Sequence, residues 1–361
     1  VTVSFQSIVK TYGAKRALDG LDLTVAPKSF TVLCGPPGSG KSALFRLLVG
    51  LEKADAGRIL LGGQDITDAP PATRAIGYVP QNFALFPHLT VAQNMAYPLT
   101  LAKAPKAEIA ARVDRTAGIL SITHLLKKTP DQLSGGEKQR VAVARGLLKD
   151  AEVFVLDDPL VGLDYKLRER LMDELKALRE ELGATFLYAT SDSLEALTMA
   201  QRLVVIDQGR VVQHDAAIEV YDHPRFARAL DLIGFPHANL LPGHLAGGRV
   251  EAGPLSFPAK ADGRDSGQIV AGLRPEAIRF ADQPDAAPNT LTIEATVSLV
   301  ENLGGEAVVY LDAGGVPLTA TLPLSGAIPP AFGAAITVQV DPADVMLFDA
   351  ASGARLDARR V

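Results

Sequence analysis

The chain has 361 residues, more than a single hydrophobic core usually serves, so at least two domains are expected. Hydrophobic residues make up 47% and charged residues 21%, which excludes a disordered or fibrous chain, and a net charge of −5 with no Lys/Arg cluster argues against a dedicated nucleic-acid binder. The single cysteine, Cys34, excludes an intramolecular disulfide or a multi-cysteine metal site and reads as a small buried filler.

At the N-terminus, VTVSFQSIVKTYG lacks the basic-then-apolar order of a leader, and no run in the chain approaches the ~18–20 apolar residues of a membrane helix. Any service to a membrane is therefore expected through other chains. From Val1 to about Gly234, β-branched runs such as SFTVLCG, AEVFVLD, ATFLYAT and RLVVIDQG alternate with longer helical patterns. That alternation predicts an α/β domain with a largely parallel sheet, residues 1–234. Between Gln93 and Asp131 a mostly helical stretch, including KAEIAARVDRTAGIL, predicts an inserted helical subdomain bounded at about 93–150. From about Phe235 the helical period disappears and segments such as TIEATVSLV and EAVVYLDA alternate, predicting a small all-β domain over 235–361. Ala/Pro/Gly-rich loops are expected near Pro254 to Asp265 and Gln283 to Asn289.

The segment GPPGSGKS, Gly35 to Ser42, follows the apolar run FTVLC and precedes ALFRLLVGL, giving strand, glycine loop and helix in the order of a Walker A motif. Glycines let backbone N–H groups face phosphate oxygens, Lys41 reaches the outer phosphates, and the Ser42 hydroxyl is a Mg²⁺ ligand. The nucleotide-binding set is Gly35, Pro36, Pro37, Gly38, Ser39, Gly40, Lys41, Ser42 and Ala43. VFVLDD, Val153 to Asp158, is an apolar strand ending in two carboxylates, of which Asp157 takes the Walker B role at Mg²⁺. Standing alone it reads better as a strand ended by solvated acids; the two motifs together indicate a P-loop NTPase.

Nucleotide binding does not by itself name a function. LSGGEKQR, Leu133 to Arg140, resembles the signature sequence of ABC-type ATPases and lies just upstream of Walker B, as in that family. Ser134 and the Gly135 and Gly136 amides open a helix and make an anion site, with Leu133 and Glu137 flanking them. The resemblance implies that this site closes on ATP held by the opposite subunit. It also implies that Tyr12 stacks on adenine, that Gln81 in YVPQNFALFPHLTV reaches Mg²⁺ and couples to transmembrane subunits, and that Asp164 of VGLD crosses the dimer interface. Taken singly, Tyr12 reads as a core aromatic and Gln81 as a loop polar residue. GLRPEAIRF from Gly272, LVENLGGEAVVYLD from Leu299 and DVMLFDAASGARL near the end resemble the OB-like, TOBE-type regulatory barrel of ATPases from maltose and glycerol-3-phosphate importers. The resemblance thus implies ATP and Mg²⁺ as ligands, two permease subunits, a second ATPase subunit, a periplasmic solute-binding protein, a carbohydrate or polyol cargo, and a place at the cytoplasmic face of the inner membrane.

Two residues depart from the family pattern. After VLD the family places a glutamate that polarises the attacking water, whereas this chain has Asp158, one methylene shorter. After ATFLYAT it places a histidine that contacts the γ-phosphate, whereas this chain has Ser191, and none of its six histidines lies between Lys149 and Arg210. An orientation error near 1 Å costs about 100-fold in rate. The departures favour a heterodimer with a standard second ATPase over a homodimer. A non-transport ABC ATPase and a nucleotide-binding regulator with little hydrolysis are the competing readings; against the first, the chain has one cassette, no long coiled coil and no basic arm.

Overall fold

Apolar runs buried along their whole length form the centre of the first of two units, Val1–Ala217 and Ile218–Val361. The computed structural model describes residues 1–261, 266–280, 290–324 and 328–359, so the loop expected over 283–289 and the end of that near 265 lie outside the described residues.

In chain order the first unit runs β1 (Val3–Tyr12), β2 (Lys15–Val25), β3 (Phe30–Cys34), α1 (Lys41–Leu48), β4 (Ala56–Leu61), β5 (Gln64–Asp65), β6 (Ile76–Val79), α2 (Val91–Leu101) and α3 (Lys106–Ile119). It continues with α4 (Gly135–Leu147), β7 (Val153–Asp157), α5 (Tyr165–Leu182), β8 (Thr185–Thr190), α6 (Ser193–Met199), β9 (Arg202–Asp207) and β10 (Arg210–Ala216). The expected parallel sheet has the order β10-β9-β3-β8-β7-β6, with β10 as its antiparallel edge. Every residue of β3, β7 and β8 is buried, as befits parallel strands covered on both faces. On one face Leu33, Val155, Leu187 and Val204 meet Leu44, Leu47 and Leu48 of α1. On the other, Phe186 stacks between Phe30 and Phe154, with ring centroids 5.6 and 5.2 Å away. Each large side chain so buried contributes about 1.5–3 kcal/mol. A second, antiparallel sheet, β2-β1-β4-β5, was not anticipated: its apolar residues, Phe5, Ile8, Leu21, Leu23 and Ile59 among them, join the α1 side of the core.

The helical stretch begins with α2 at Val91, two residues before the expected bound. Thr90 and Gln93 form a reciprocal capping box that starts α2, and Val113 and Ala117 are the buried face of α3.

The second unit opens with α7 (Ala217–Asp222) and α8 (Ala227–Leu232), then β11 (Asn239–Ala246), β12 (Arg249–Ala252), β13 (Leu255–Pro258), β14 (Lys260–Ala261), β15 (Ser266–Leu273) and β16 (Ile278–Phe280). It ends with β17 (Leu291–Asn302), β18 (Glu306–Ala313), β19 (Val316–Pro323), β20 (Ala335–Val340), β21 (Met346–Asp349) and β22 (Ala358–Arg359). Antiparallel sheets β13-β12-β11-β15-β21 and β16-β20-β17-β18-β19 share one apolar core. Two details differ from the sequence reading. The stretch from Pro254, expected as a loop, carries β13, because Leu255 and Phe257 alternate inward against Ser256 and Pro258. The second unit begins at Ile218 rather than near Phe235 because Arg274 holds the helical segment: its guanidinium donates to Tyr221 O at 2.5 Å and Ile233 O at 2.8 Å and lies 3.6 Å from the Tyr221 ring centroid.

Candidate functional site

The phosphate loop leaves the sheet at the end of β3, where only glycine fits: a Cβ on Gly35 would lie 2.0 Å from Ile206 O. The loop turns into α1 through Gly40 at φ 111°, and a Cβ there would also strike Ala17 O at 2.7 Å. Lys41 is buried and its ammonium donates back to Gly35 O at 2.6 Å and Pro36 O at 3.1 Å, so the cation sits inside the ring of loop carbonyls. Burial pushes the Lys41 amine down, against the opposing pull of the Asp158 carboxylate. The Ser39 hydroxyl is buried with no hydrogen-bond partner, an open polar position that a phosphate oxygen can satisfy.

The two motifs meet through one bond: Ser42 Oγ donates to Asp157 Oδ1 at 2.9 Å. Asp157 is buried at the end of β7, and burial raises its carboxyl above the usual range, partly offset by the Ser42 hydrogen bond. Two hard oxygen donors side by side fit Mg²⁺, which takes one or two protein ligands and completes its shell with phosphate and water. Ser42, Asp157 and the exposed Gln81 line one cleft of about 1210 Å³ that also passes Tyr78, Phe86, Tyr97 and Leu101.

Asp158 follows at φ 46°, a left-handed conformation for a non-glycine residue. Its amide donates to Ala189 O at 3.0 Å. The two residues that depart from the family pattern stand near enough for the Ser191 amide to favour the charged Asp158 carboxylate. Burial raises the Asp158 carboxyl, with Lys41 opposing and Asp157 reinforcing the shift. The Ser191 side chain is exposed.

The signature segment caps α4 with a reciprocal box: Glu137 N–H donates to Ser134 Oγ at 3.3 Å and Ser134 N–H to Glu137 Oε2 at 2.7 Å. Its two glycines differ. A Cβ on Gly135 meets nothing within 4 Å, whereas one on Gly136 would lie 2.4 Å from Leu167 Cδ2. Leu133 is buried. Asp164 caps α5 by accepting from Leu167 N–H at 3.0 Å, and Val161 and Tyr165 beside it are 54% and 72% exposed. Tyr12 is 40% exposed, bonded through its hydroxyl to Glu52, with the Lys10 ammonium 5.4 Å from its ring centroid.

Sequence reasoning missed three neighbours. The Lys15 ammonium lies 3.3 Å from where a Gly38 Cβ would stand, and the Tyr78 hydroxyl donates to Asp157 Oδ2 at 3.5 Å. Arg145 of α4 donates to the carbonyls of Phe83 and Ala84, just beyond Gln81. None is signalled locally; Tyr78, two residues before the proline that ends β6, offered only strand alternation as a clue.

The chain matches the ABC transporter family over residues 18–161 and the TOBE domain family over residues 271–348. It is 38% identical to the sn-glycerol-3-phosphate import ATP-binding protein UgpC of Cupriavidus pinatubonensis, covering 99% of both chains. It is 35% identical to the diacetylchitobiose uptake system ATP-binding protein MsiK of Streptomyces coelicolor, covering 98% of this chain and 99% of that one. A solved dimeric structure of MJ0796, a bacterial ABC transporter cassette, superposes with a TM-score of 0.56 at 28% identity, over 60% of this chain and 98% of that one. With its phosphate loop and signature helix in one α/β unit and two antiparallel sheets in the unit after it, the chain belongs to the ABC transporter ATP-binding proteins and is an ABC-type ATPase with a C-terminal TOBE domain.

Proposed function

We propose that the chain energises uptake of a sugar or polyol from the cytoplasmic face of the inner membrane, working under two permease subunits fed by a periplasmic solute-binding protein. Relatives named for import of sn-glycerol-3-phosphate and of diacetylchitobiose support the solute class. Lys41 neutralises the outer phosphates of ATP, the loop amides and Ser39 hold their oxygens, and Tyr12 stacks on the base. Ser42 and Asp157 hold Mg²⁺, with Gln81 reaching it from across the cleft; the ion supplies neutralisation of charge on the phosphate oxygens. Ser134 and Gly135 serve ATP of the opposite subunit, and Asp164 lies beside that interface. The apolar end of the cleft, Phe86, Tyr97 and Leu101, receives a permease segment, so that a change at Gln81 is felt by the membrane partner.

The observation that carries the finer reading is the placement of Asp158, one methylene shorter than the family's glutamate, on a left-handed backbone at φ 46° whose N–H is tied to Ala189 O at 3.0 Å. A carboxylate that polarises water must present an oxygen toward the γ-phosphate, and this one is short and set on a fixed, left-handed backbone. No imidazole stands at position 191 to hold the γ-phosphate. The chain's own site therefore binds MgATP and turns it over slowly, while its signature completes a competent site for a second, different ATPase subunit. Purifying the intact complex from membranes through a tag on this chain tests this. Two distinct ATPase chains in equal amount are expected with the permeases; a complex holding this chain alone as its ATPase would overturn the heterodimer.

A further inference from the structure

The turn after Gln81 is held in a conformation it does not prefer. Phe83 and Ala84 have φ of 57° and 47°, two successive non-glycine residues in the left-handed region, and Ala84 N–H closes a tight turn on Asn82 O at 2.5 Å. Such a turn persists only where something outside it fixes it. The outside group is Arg145, which donates from Nη1 to Ala84 O at 2.6 Å and from Nη2 to Phe83 O at 3.0 Å, with its guanidinium 5.6 Å from the Phe86 ring centroid. A planar fork of donors matches two adjacent carbonyls; a lysine ammonium does not.

Arg145 acts from a helix that grips the preceding strand along its length. Lys149 donates to Arg74 O at 3.0 Å and Ile76 O at 2.8 Å at the start of β6. Gly146 lets α4 lie directly on that strand, since a Cβ there would be 2.5 Å from Val79 Cγ2. Arg145 then takes the turn beyond it. The far end of the turn is fixed independently, by Phe86 N–H donating to Asn94 Oδ1 at 2.8 Å and Asn94 Nδ2 donating to Phe86 O at 3.1 Å. The N-terminus of the same α4 is the signature segment, roughly 16 Å away at 1.5 Å per residue.

We infer that Arg145 is a positioning residue that couples the signature end of α4 to Gln81, so that engagement of the signature by the opposite subunit's nucleotide is transmitted to this chain's own site. This rests on the reading of Gln81 given above. A displacement of α4 at Ser134 moves the fork at Arg145, and with it the carbonyls that set where Gln81 stands in the cleft.

The test uses the full-length chain, with Arg145→Ala, Arg145→Lys, Gln81→Ala, Ala84→Gly and the pair Arg145→Ala/Ala84→Gly. It measures amide exchange over residues 82–86 and MgATP turnover as a function of Mg²⁺. Both Arg145 variants are expected to speed exchange in that turn, and to lower turnover, by about 10-fold. Adding Ala84→Gly, whose left-handed φ carries no penalty, is expected to recover most of the turnover lost in Arg145→Ala. Unchanged exchange and turnover in Arg145→Ala, with Gln81→Ala impaired, would overturn the inference and leave the reading of Gln81 standing. If Gln81→Ala turns over normally, that reading fails. Loss of stability across the whole chain without selective exchange at 82–86, or no recovery by Ala84→Gly, would make Arg145 a structural residue only and overturn the inference as well.

Discussion

The double change Asp158→Glu with Ser191→His is expected to raise MgATP turnover of the full-length chain by at least about 100-fold. The Asp158 backbone is fixed on both sides, its N–H on Ala189 O at 3.0 Å and its carbonyl accepting from Val161 N–H at 3.3 Å, so the carboxylate cannot move forward to make up a missing methylene. A shortfall of that size, about 1 Å or more, costs about 100-fold. A missing donor at developing charge costs about 100- to 1000-fold. The Ser191 side chain is exposed, so an imidazole needs no repacking. Because both residues act on the same attack of water at the γ-phosphate, their effects are not additive: each single change should recover little, and the pair most of the loss. Glutamate at φ 46° is less tolerated than aspartate and is expected to cost on the order of 1 kcal/mol, which lowers the melting temperature without abolishing folding. Phosphate release at saturating MgATP is the assay, with nucleotide affinity measured separately. Wild-type chain already hydrolysing at the rate of the double variant would refute the reasoning and remove the main ground for a heterodimer.

Three further outcomes are expected. Gly136→Ala should lower stability by about 1 kcal/mol, since its Cβ would press on Leu167 Cδ2 at 2.4 Å, whereas Gly135→Ala has open space and should melt like wild type; equal melting temperatures would contradict the geometry. Asp158→Asn should abolish residual hydrolysis yet stabilise the chain, because asparagine tolerates the left-handed backbone and carries no buried charge. The raised Asp158 carboxyl contributes stability that is full below its usual value of 3.8 and is lost as pH rises through its raised one. The advantage of asparagine should therefore be small at pH near 4 and, after solvent screening at a half-buried site, about 1 kcal/mol near pH 7. A gain independent of pH in denaturant melts would show that burial of the charge is not its cause. Finally, fragment 218–361 should fold alone and fragment 235–361 should be less stable by about 3 kcal/mol, because removing Tyr221 and Ile233 leaves the buried Arg274 guanidinium unpaired; equal denaturation midpoints would place the boundary near Phe235 after all.

What was legible in the sequence is what chemistry concentrates locally. Gly35 to Ser42 must sit between a buried strand and a helix for loop amides to converge on phosphate, and Ser134 to Glu137 must carry its own cap; both are short enough to be written in consecutive residues. The α/β alternation was legible for the same reason, since β3, β7 and β8 are continuous apolar runs. What escaped notice depends on residues far apart in sequence. Lys15 reaches Gly38 from the start of β2, and Arg145 reaches the turn beyond Gln81 only because α4 lies on β6. The β13 strand was hidden by flanking prolines and glycines that outweighed the alternation of Leu255 and Phe257. The two departures were each visible, but their relation was not. Asp157 pairs in parallel register with Ala189, so the residues just past the ends of β7 and β8 come together at the edge of the sheet. There the Ser191 amide favours the charged form of the Asp158 carboxylate, against the larger effect of burial. A side chain at position 191 that restored the γ-phosphate contact while leaving Asp158 in place would still face a carboxylate one methylene short on a backbone fixed at Ala189 and Val161. The short acid and the missing imidazole therefore behave as one altered element of the site, and restoring either alone leaves the other's constraint in force.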